Sequence, residues 1–520
     1  MTDTASLLPL AAVLVPALAV VGIVALGRFP LVRELCTALA ALGTVASVWA
    51  MVQTESTEVT TLGSVAGVDL SLRADPAGLL FALLAAVLWA ATSLYSVGYV
   101  RALDEHAQTR YFAAFAASIA ATMGVAFAGN LFTLFVFYEL LTLATYPLVV
   151  HAETDEARSA GRTYLAYTLG GGVAALAGVV LVGVLAGTVT FDAGGIEALA
   201  TVDPTLARAA FALLVVGFGV KTAIVPLHGW LPTAMVAPTP VSGLLHAVAV
   251  VKSGVFALGR TVLYVFGPET TWDLGMGFPL AVAAAVTMVV AGLVGLRQDN
   301  LKRGLAYSTI SQLSYIALGL ALATPVAVFG AFVHIVAHAF MKITLFFVAG
   351  VVAVETGEKY VSDLAGVGRR LPATMTAFAV AAAGLVGFPL VAGFVSKFYL
   401  VLGAAESASP WLVGAYLLAG LLKLLYFWPI VYVAFFGERG GTDAASRHAF
   451  APAHATDGGY VDTGYSEAMT WERRTISTET SPALLLPILF TVGVAIALGL
   501  APTEFPFWSL AEAIVAEVFA

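Results

Sequence analysis

Cysteine is almost absent: Cys36 stands alone among 520 residues. One thiol excludes a disulfide framework and any cysteine-ligated iron–sulfur cluster, each of which needs several. Charge is scarce too, with Asp, Glu, Lys and Arg at 11% of the chain, and a net charge of −8 argues against nucleic acid as a partner. No nucleotide-binding signature stands out. GFGVKT fails the spacing of a phosphate loop and lies inside a helical run. GGGVAALAG, near 170–178, reads as close helix packing by small residues rather than a dinucleotide fingerprint. HIVAH has the spacing of a two-histidine metal pair but lacks the glutamate of the zinc-protease signature. Neither a cofactor nor a metal is therefore expected.

What the chain has in excess is apolar surface. Its composition is 60% hydrophobic and its mean hydropathy is +0.94. No soluble core needs that much, so the chain reads as an all-α polytopic membrane protein. Runs of roughly 20 residues suggest about fourteen spans. They lie near 5–26, 31–52, from Pro76 onward, 111–129, 131–151, 162–187, 205–225, 239–266, 275–297, 303–323, 326–354, 372–403, 410–436 and 483–501. The N-terminus lacks a basic segment before its apolar run and reads as a first span, not a cleaved signal. TLGSVAGVDLSL, between Val59 and Leu72, alternates apolar and polar residues around glycine and suits a short exterior β-hairpin. The tail TEFPFWSLAEAIVAEVFA is short and amphipathic.

The connections alternate in charge. RFPLVRE, RQDNLKR and ETGEKYVSDLAGVGRR are basic, whereas TESTEV, FDAGGIEALATVD and GPETTWD are acidic or nearly free of Lys and Arg. The positive-inside rule then predicts both termini outside a plasma membrane and a cytoplasmic polar loop at 437–482. That loop defaults to a solvated linker.

The informative residues are the few ionisable groups inside these runs. A lysine in hydrocarbon costs about 2.5–3.5 kcal/mol and usually faces a protein interior or a wet cavity. Lys221 lies deep in FALLVVGFGVKTAIVPLHGWLP, five residues before the break at Pro226 and near His228. Lys397 follows a second break, GFPLVAGF, at Pro389. Each is followed by a helix with another buried lysine, Lys252 and Lys423 respectively. Paired broken helices are the best sequence pointer to a transporter's ion path. Glu139 has no charge within a turn and needs a cation partner or must be neutral; Lys221 is the nominated partner. His334, His338 and Lys342 are spaced i, i+4, i+8 on one helix face and would bridge the two lysine groups. His246 is a weaker candidate, since a lone histidine in an apolar helix is often a packing residue. Lys302 and Arg303 are placed at the cytoplasmic interface, off the path.

These segments carry a resemblance. FYELLTLATYPLV, VKTAIVPLHGWLPTAMVAPTPVSGLLHAVAVVKSGVF, LAYSTISQLSY, HIVAHAFMKITLFFVAG and GFPLVAGFVSKFYL closely resemble the proton-conducting antiporter-like membrane subunits. This family is shared by multisubunit Mrp-type cation/proton antiporters and the membrane arm of respiratory complex I. The resemblance covers nearly the whole chain, most strongly roughly 75–440. Length and the lysine in GFVSKF resemble the D-type component of Mrp antiporters or the mid-arm (M/N-type) subunits of complex I. MVAPTPVSGLLHAVAVVKSGVF departs from the D-type pattern, so the choice of complex stays open.

The resemblance implies a fourteen-helix fold with two inverted five-helix repeats, each containing a discontinuous helix. A three-helix segment with the hairpin would occupy 1–110, the repeats 111–266 and 275–436, the polar loop 437–482, and a last span and tail 483–520. It also implies roles. Glu139 matches the glutamate paired with the first lysine, Lys221 that lysine, and Lys252 the connecting group. His334, His338 and Lys342 match the central polar link and Lys397 the exit-side residue. Lys423 is nominated by the repeat argument alone. The implied activity is proton translocation within a hetero-oligomeric Na+/H+ antiporter, with other membrane subunits as partners. The alternative is the pump module of a complex I-like NADH/quinone oxidoreductase. An unrelated fourteen-helix exporter would leave the paired broken-helix lysines unexplained.

Overall fold

The computed structural model describes residues 3–54, 56–65, 67–407, 409–438 and 471–520. Helices dominate because apolar runs in lipid must satisfy every backbone group internally. In chain order they are α1 (Leu8–Ala25), α2 (Pro30–Val52), α3 (Pro76–Ala102), α4 (Gln108–Ala126), α5 (Leu131–Val149), α6 (Asp155–Ala186) and α7 (Pro204–Thr222). The run Thr239–Val265 forms α8. Then come α9 (Gly277–Gly295), α10 (Leu301–Leu322), α11 (Pro325–Thr356), α12 (Pro372–Val386), α13 (Ala392–Glu406), α14 (Leu412–Phe436), α15 (Pro482–Leu500) and the short α16 (Pro506–Val518). Twelve of these are long and apolar enough to cross a membrane. Helix α4 and the interrupted pair α12–α13 complete the bundle among the described residues.

Both expected interruptions are present, but each opens before its proline. Helix α7 ends at Thr222, and Ala223 turns left-handed at φ 60°. Helix α12 ends at Val386, and Gly387 takes φ 109°, where glycine carries no steric cost. Pro226 and Pro389 then lie inside non-helical segments, consistent with the bias of a residue before proline away from helix.

The interior is built from α8, α10 and α11, whose central turns are buried nearly or wholly all round. The flanks are α1, α2, α6, α14 and α15, which turn Leu18, Val173, Val184, Leu417 and Phe490 outward. Such a ring of exposed aliphatic and aromatic side chains suits lipid. The expected hairpin forms as β2 (Thr57–Val65) against β3 (Val68–Ala74), antiparallel, and β1 (Asp3–Ala5) adds a parallel edge. Helix α16 buries Phe507, Ala511, Ile514 and Val518 on one stripe, as its amphipathic sequence predicted.

Two corresponding arrangements recur. Asn130 caps α5 through the Thr133 amide at 2.8 Å and pairs as a β-bridge with Thr190 beyond α6. Asn300 caps α10 through the Arg303 amide at 3.1 Å and pairs with Tyr360 beyond α11. Each is followed by two helices, an interrupted span and one more helix.

Of the expected 437–482 loop, 439–470 fall outside the described residues. Its end is not a free linker. Trp471 Nε1 donates to the Ala365 carbonyl at 2.9 Å, and Arg474 pairs with Glu355 at 3.0 Å. Glu479, fully buried, accepts from the Ala373 and Thr374 amides at 2.9 and 3.0 Å. It thereby satisfies the orphan donors at the start of α12, where a negative charge is favoured.

Candidate functional site

Helix α7 delivers Lys221 to the bundle interior one residue before it ends, fully buried. Its amine donates to the Tyr138 carbonyl on α5 and lies 3.5 Å from the centre of the Tyr138 ring. A cation over an aromatic face is stabilised by the ring quadrupole. Glu139 is the next residue on α5. The nominated Glu139–Lys221 contact is therefore indirect: no ion pair between them occurs among the described residues, and Glu139 Oε1 is buried without a hydrogen-bond partner. The carboxylate rests on Gly172 of α6, where a Cβ would lie 2.7 Å from it. Gly171, Gly172 and Gly178 do serve close packing, as expected, whereas Gly170 faces open space; Gly172 makes the room Glu139 occupies.

Lys252 comes next. Helix α8 crosses the end of α7 at Gly254, where a Cβ would lie 2.5 Å from the Thr222 nitrogen and 2.9 Å from the Lys221 Cβ. That approach brings Lys252 beside the interruption. Lys252 Nζ lies 2.7 Å from His338 Nδ1 on α11, and both are fully buried.

His334, one turn back on α11, has its ring 6.2 Å from that of His338. Its Nδ1 lies 2.8 Å from Ser396 Oγ and its Nε2 2.7 Å from Gln312 Oε1. Gln312 Nε2 donates to the Leu385 carbonyl at 2.9 Å. Lys397 donates to that same carbonyl and to the Val386 carbonyl at 3.1 Å. These are the last carbonyls of α12, left without helical partners by the break, and a cation is favoured at such an end. The interruption thus creates the acceptors that hold Lys397.

Lys342 is within electrostatic range of Lys252 and of Lys423, one from each lysine group, but is hydrogen-bonded to neither. It turns to α10, donating to Ser308 Oγ and to the Leu305 carbonyl at 3.3 Å. The three side chains take different partners because i, i+4, i+8 on a 3.6-residue helix drifts around the axis. Lys423 donates to Ser311 Oγ at 2.9 Å and lies 4.1 Å from the Tyr315 ring, which Lys397 approaches at 4.8 Å from its own side. The two weaker histidines stay outside the row. His246 packs 4.8 Å from Phe346 with neither ring nitrogen bonded to protein. His228, half-buried in the α7 interruption, lies 6.4 Å from Tyr307. Lys302 donates to the Ala237 carbonyl, apart from the row.

The comparisons bear on this core. A family model described as NADH:quinone oxidoreductase/Mrp antiporter, TM, matches residues 128–422. The chain belongs to this family. The matched stretch contains Glu139, Lys221, Lys252, His334, His338, Lys342 and Lys397, and stops one residue short of Lys423. The chain is 33% identical over 376 residues to NADH-quinone oxidoreductase subunit N of Desulforudis audaxviator, covering 71% of this chain and 73% of that one. It is also 33% identical over 382 residues to the A/B component of a probable K(+)/H(+) antiporter of Rhizobium meliloti, covering 72% of this chain but 37% of that one. The fold matches a chain in the Mrp complex from Dietzia sp. with a TM-score of 0.81 at 24% identity, over 99% of this chain and 97% of that one. Both branches of the family are thus represented, and partners in a multisubunit membrane assembly are the family pattern.

Sequence reading gave no role to several residues that the fold brings to this site: Tyr138, Gly172, Ser308, Ser311, Gln312, Tyr315 and Ser396. Four of these share one stripe of α10, spaced i, i+3, i+4, i+7 from Ser308 to Tyr315. That polar stripe inside an apolar span was the signal available. Gly172 offered none, since its role is the space it leaves.

Proposed function

We propose that this chain is the proton-translocating subunit of a multisubunit monovalent cation (Na+)/proton antiporter. The observation that carries the reading is the buried row from Lys221 through Lys252, His338 and His334 to Lys397. Within it Lys252 is bonded to His338, and His334 reaches Lys397 through Gln312 and the Leu385 carbonyl. Uncompensated ionisable groups in that position are costly and mark ion paths. Glu139 with Lys221 forms the input, Lys252, His338 and His334 the relay, and Lys397 the exit. Lys342 with Ser308, and Lys423 with Ser311, stand as side branches. Water completes the gaps between Lys221 and Lys252 and between the two histidines.

The energetics are of the right size. Burial disfavours a charged amine and a nearby carboxylate favours it, so movement of Glu139 relative to Lys221 would load or unload the relay. Moving one charge through 100 mV is worth about 2.3 kcal/mol. The end of the bundle holding Arg33, Arg101, Arg110, Arg303, Arg370 and Arg474 is assigned to the cytoplasm of a plasma membrane, and the β-hairpin, β1 and the last turn of α16 to the exterior. The recurring Asn130 and Asn300 arrangements support two repeats, near 111–266 and 275–436.

The test is proton flux in vesicles containing the assembled complex, driven by a Na+ gradient without electron donor. Lys221→Ala is expected to abolish flux with assembly intact; wild-type flux in that variant would refute the role. A second reading, a redox-driven pump subunit, is favoured by the 73% coverage of the NADH-quinone oxidoreductase relative. Flux that requires an electron donor would select it.

A further inference from the structure

We propose that Glu105, His106 and His151 form a binding site for one borderline divalent cation of the Zn2+ class, at the arginine-rich end of the bundle. Glu105 and His106 lie in the turn between α3 and α4, and His151 in the turn between α5 and α6. Each offers one ligand atom, and these atoms all lie within 4.8 Å of one another. Glu105 Oε2 is 3.7 Å from His151 Nε2 and 4.0 Å from His106 Nδ1, and the two imidazole rings stack at 4.8 Å.

His151 is the telling member. It is fully buried, yet neither ring nitrogen has a hydrogen-bond partner in the protein. Buried polar atoms are nearly always bonded, and an orphan calls for a ligand or another physical reason. At 3.7 Å the Glu105 carboxylate is too far for a hydrogen bond to His151 but close enough to share an ion with it. Around a tetrahedral zinc, with bonds near 2.0–2.1 Å, ligand atoms sit about 3.3 Å apart. Both carboxylate–imidazole separations reach that value on closing by less than about 1 Å. Half-exposed His106 has the freedom to do so.

The electrostatics agree. The Glu105 carboxylate is the group of negative charge facing both imidazoles. Arg110 sits nearby but is paired with Glu153 and donates to the His151 carbonyl at 3.1 Å. Its charge is taken up, and Glu105 leaves the pocket with a net negative charge. Two histidines with a carboxylate suit zinc better than calcium or magnesium, which prefer oxygen. Three protein ligands leave a fourth position for water. A bound ion would pin the α3–α4 turn to the end of α5, twelve residues along from Glu139. Any effect on transport rests on the role proposed for Glu139; the binding itself does not.

The test uses the whole complex, purified through a histidine-free tag and titrated with Zn2+ by calorimetry. Co2+ absorption reports the ligand set. His106→Ala and Glu105→Gln, both at accessible positions, should bind one ion fewer per complex, or bind it about tenfold or more weakly. His151→Gln should do the same. Equal stoichiometry and affinity in wild type, His106→Ala and Glu105→Gln would overturn the site, as would the absence of saturable binding in the wild type. Flux measured with and without Zn2+ reads the transport consequence separately.

Discussion

Lys252 and His338 share one hydrogen bond of 2.7 Å with no carboxylate among their partners. If the amine carries the proton, Nδ1 accepts; if the imidazole carries it, the amine accepts. The contact allows one proton to be held on either of two helices, α8 or α11. We expect Lys252→Met and His338→Ala each to reduce proton flux by more than about tenfold, the loss typical of removing a positioned proton-transfer group. The double variant should be no worse than the poorer single one, because both remove the same step. Fully multiplicative losses in reconstituted vesicles would show that the two act independently.

Gly172 faces Glu139, and the carboxylate fills the space a side chain would take. Gly172→Ala should displace the carboxylate and lower flux by about tenfold or more, with assembly unchanged. Gly170→Ala is the control: nothing lies within 4 Å of a Cβ built there. Helix propensity would make both substitutions equally favourable in the free helix. If both variants transport alike, the fit of Glu139 against α6 does not matter to function.

How much of this was legible beforehand follows from what kind of information each feature carries. Lys221, Lys252 and Lys397 stood out because a charge in an apolar run is improbable without a purpose, and the interruptions were announced by Pro226 and Pro389. Periodicity placed His334, His338 and Lys342 on one helix but could not say which neighbour each would meet. Lys342 accordingly takes Ser308 as its hydrogen-bond partner, a contact the spacing could not name. Glu139 and Lys221 were paired by charge alone. Only the fold shows that the Lys221 amine takes the Tyr138 carbonyl and ring as its contacts. The carbonyls that hold Lys397 have no side-chain signature, since they become acceptors only because α12 stops.

Gln312 ties three parts together: His334, the Leu385 carbonyl and, through that carbonyl, Lys397. Gln312→Leu keeps the volume but removes both hydrogen bonds, leaving His334 Nε2 without a partner while the Leu385 carbonyl keeps Lys397. A buried orphan costs about 1–3 kcal/mol. The expected outcome is a fall in flux of about tenfold with modest loss of thermal stability, whereas Gln312→Glu should retain part of the flux by still accepting from His334. Should Gln312→Leu transport at the wild-type rate, the exit arm does not run through α10.

At the opposite end from the arginine-rich turns, Arg260 and Asp75 make a fully buried bidentate pair, with N–O distances of 2.7 and 2.6 Å. Asp75 also caps α3 through the Gly78 amide at 2.8 Å, and the guanidinium is enclosed by Phe191, Phe256 and Tyr264. This joins α3, α8 and the segment after α6 without touching the lysine row. Breaking one partner leaves the other charged and buried, which costs about 3–5 kcal/mol; replacing both often costs far less. Arg260→Met should therefore lower the melting temperature of the solubilised complex sharply, and Arg260→Met with Asp75→Asn should recover part of it, since asparagine still caps a helix. Flux per folded complex should change little in the double variant. A double variant no more stable than Arg260→Met alone would mean the loss comes from the cavity around the guanidinium, not from the stranded carboxylate.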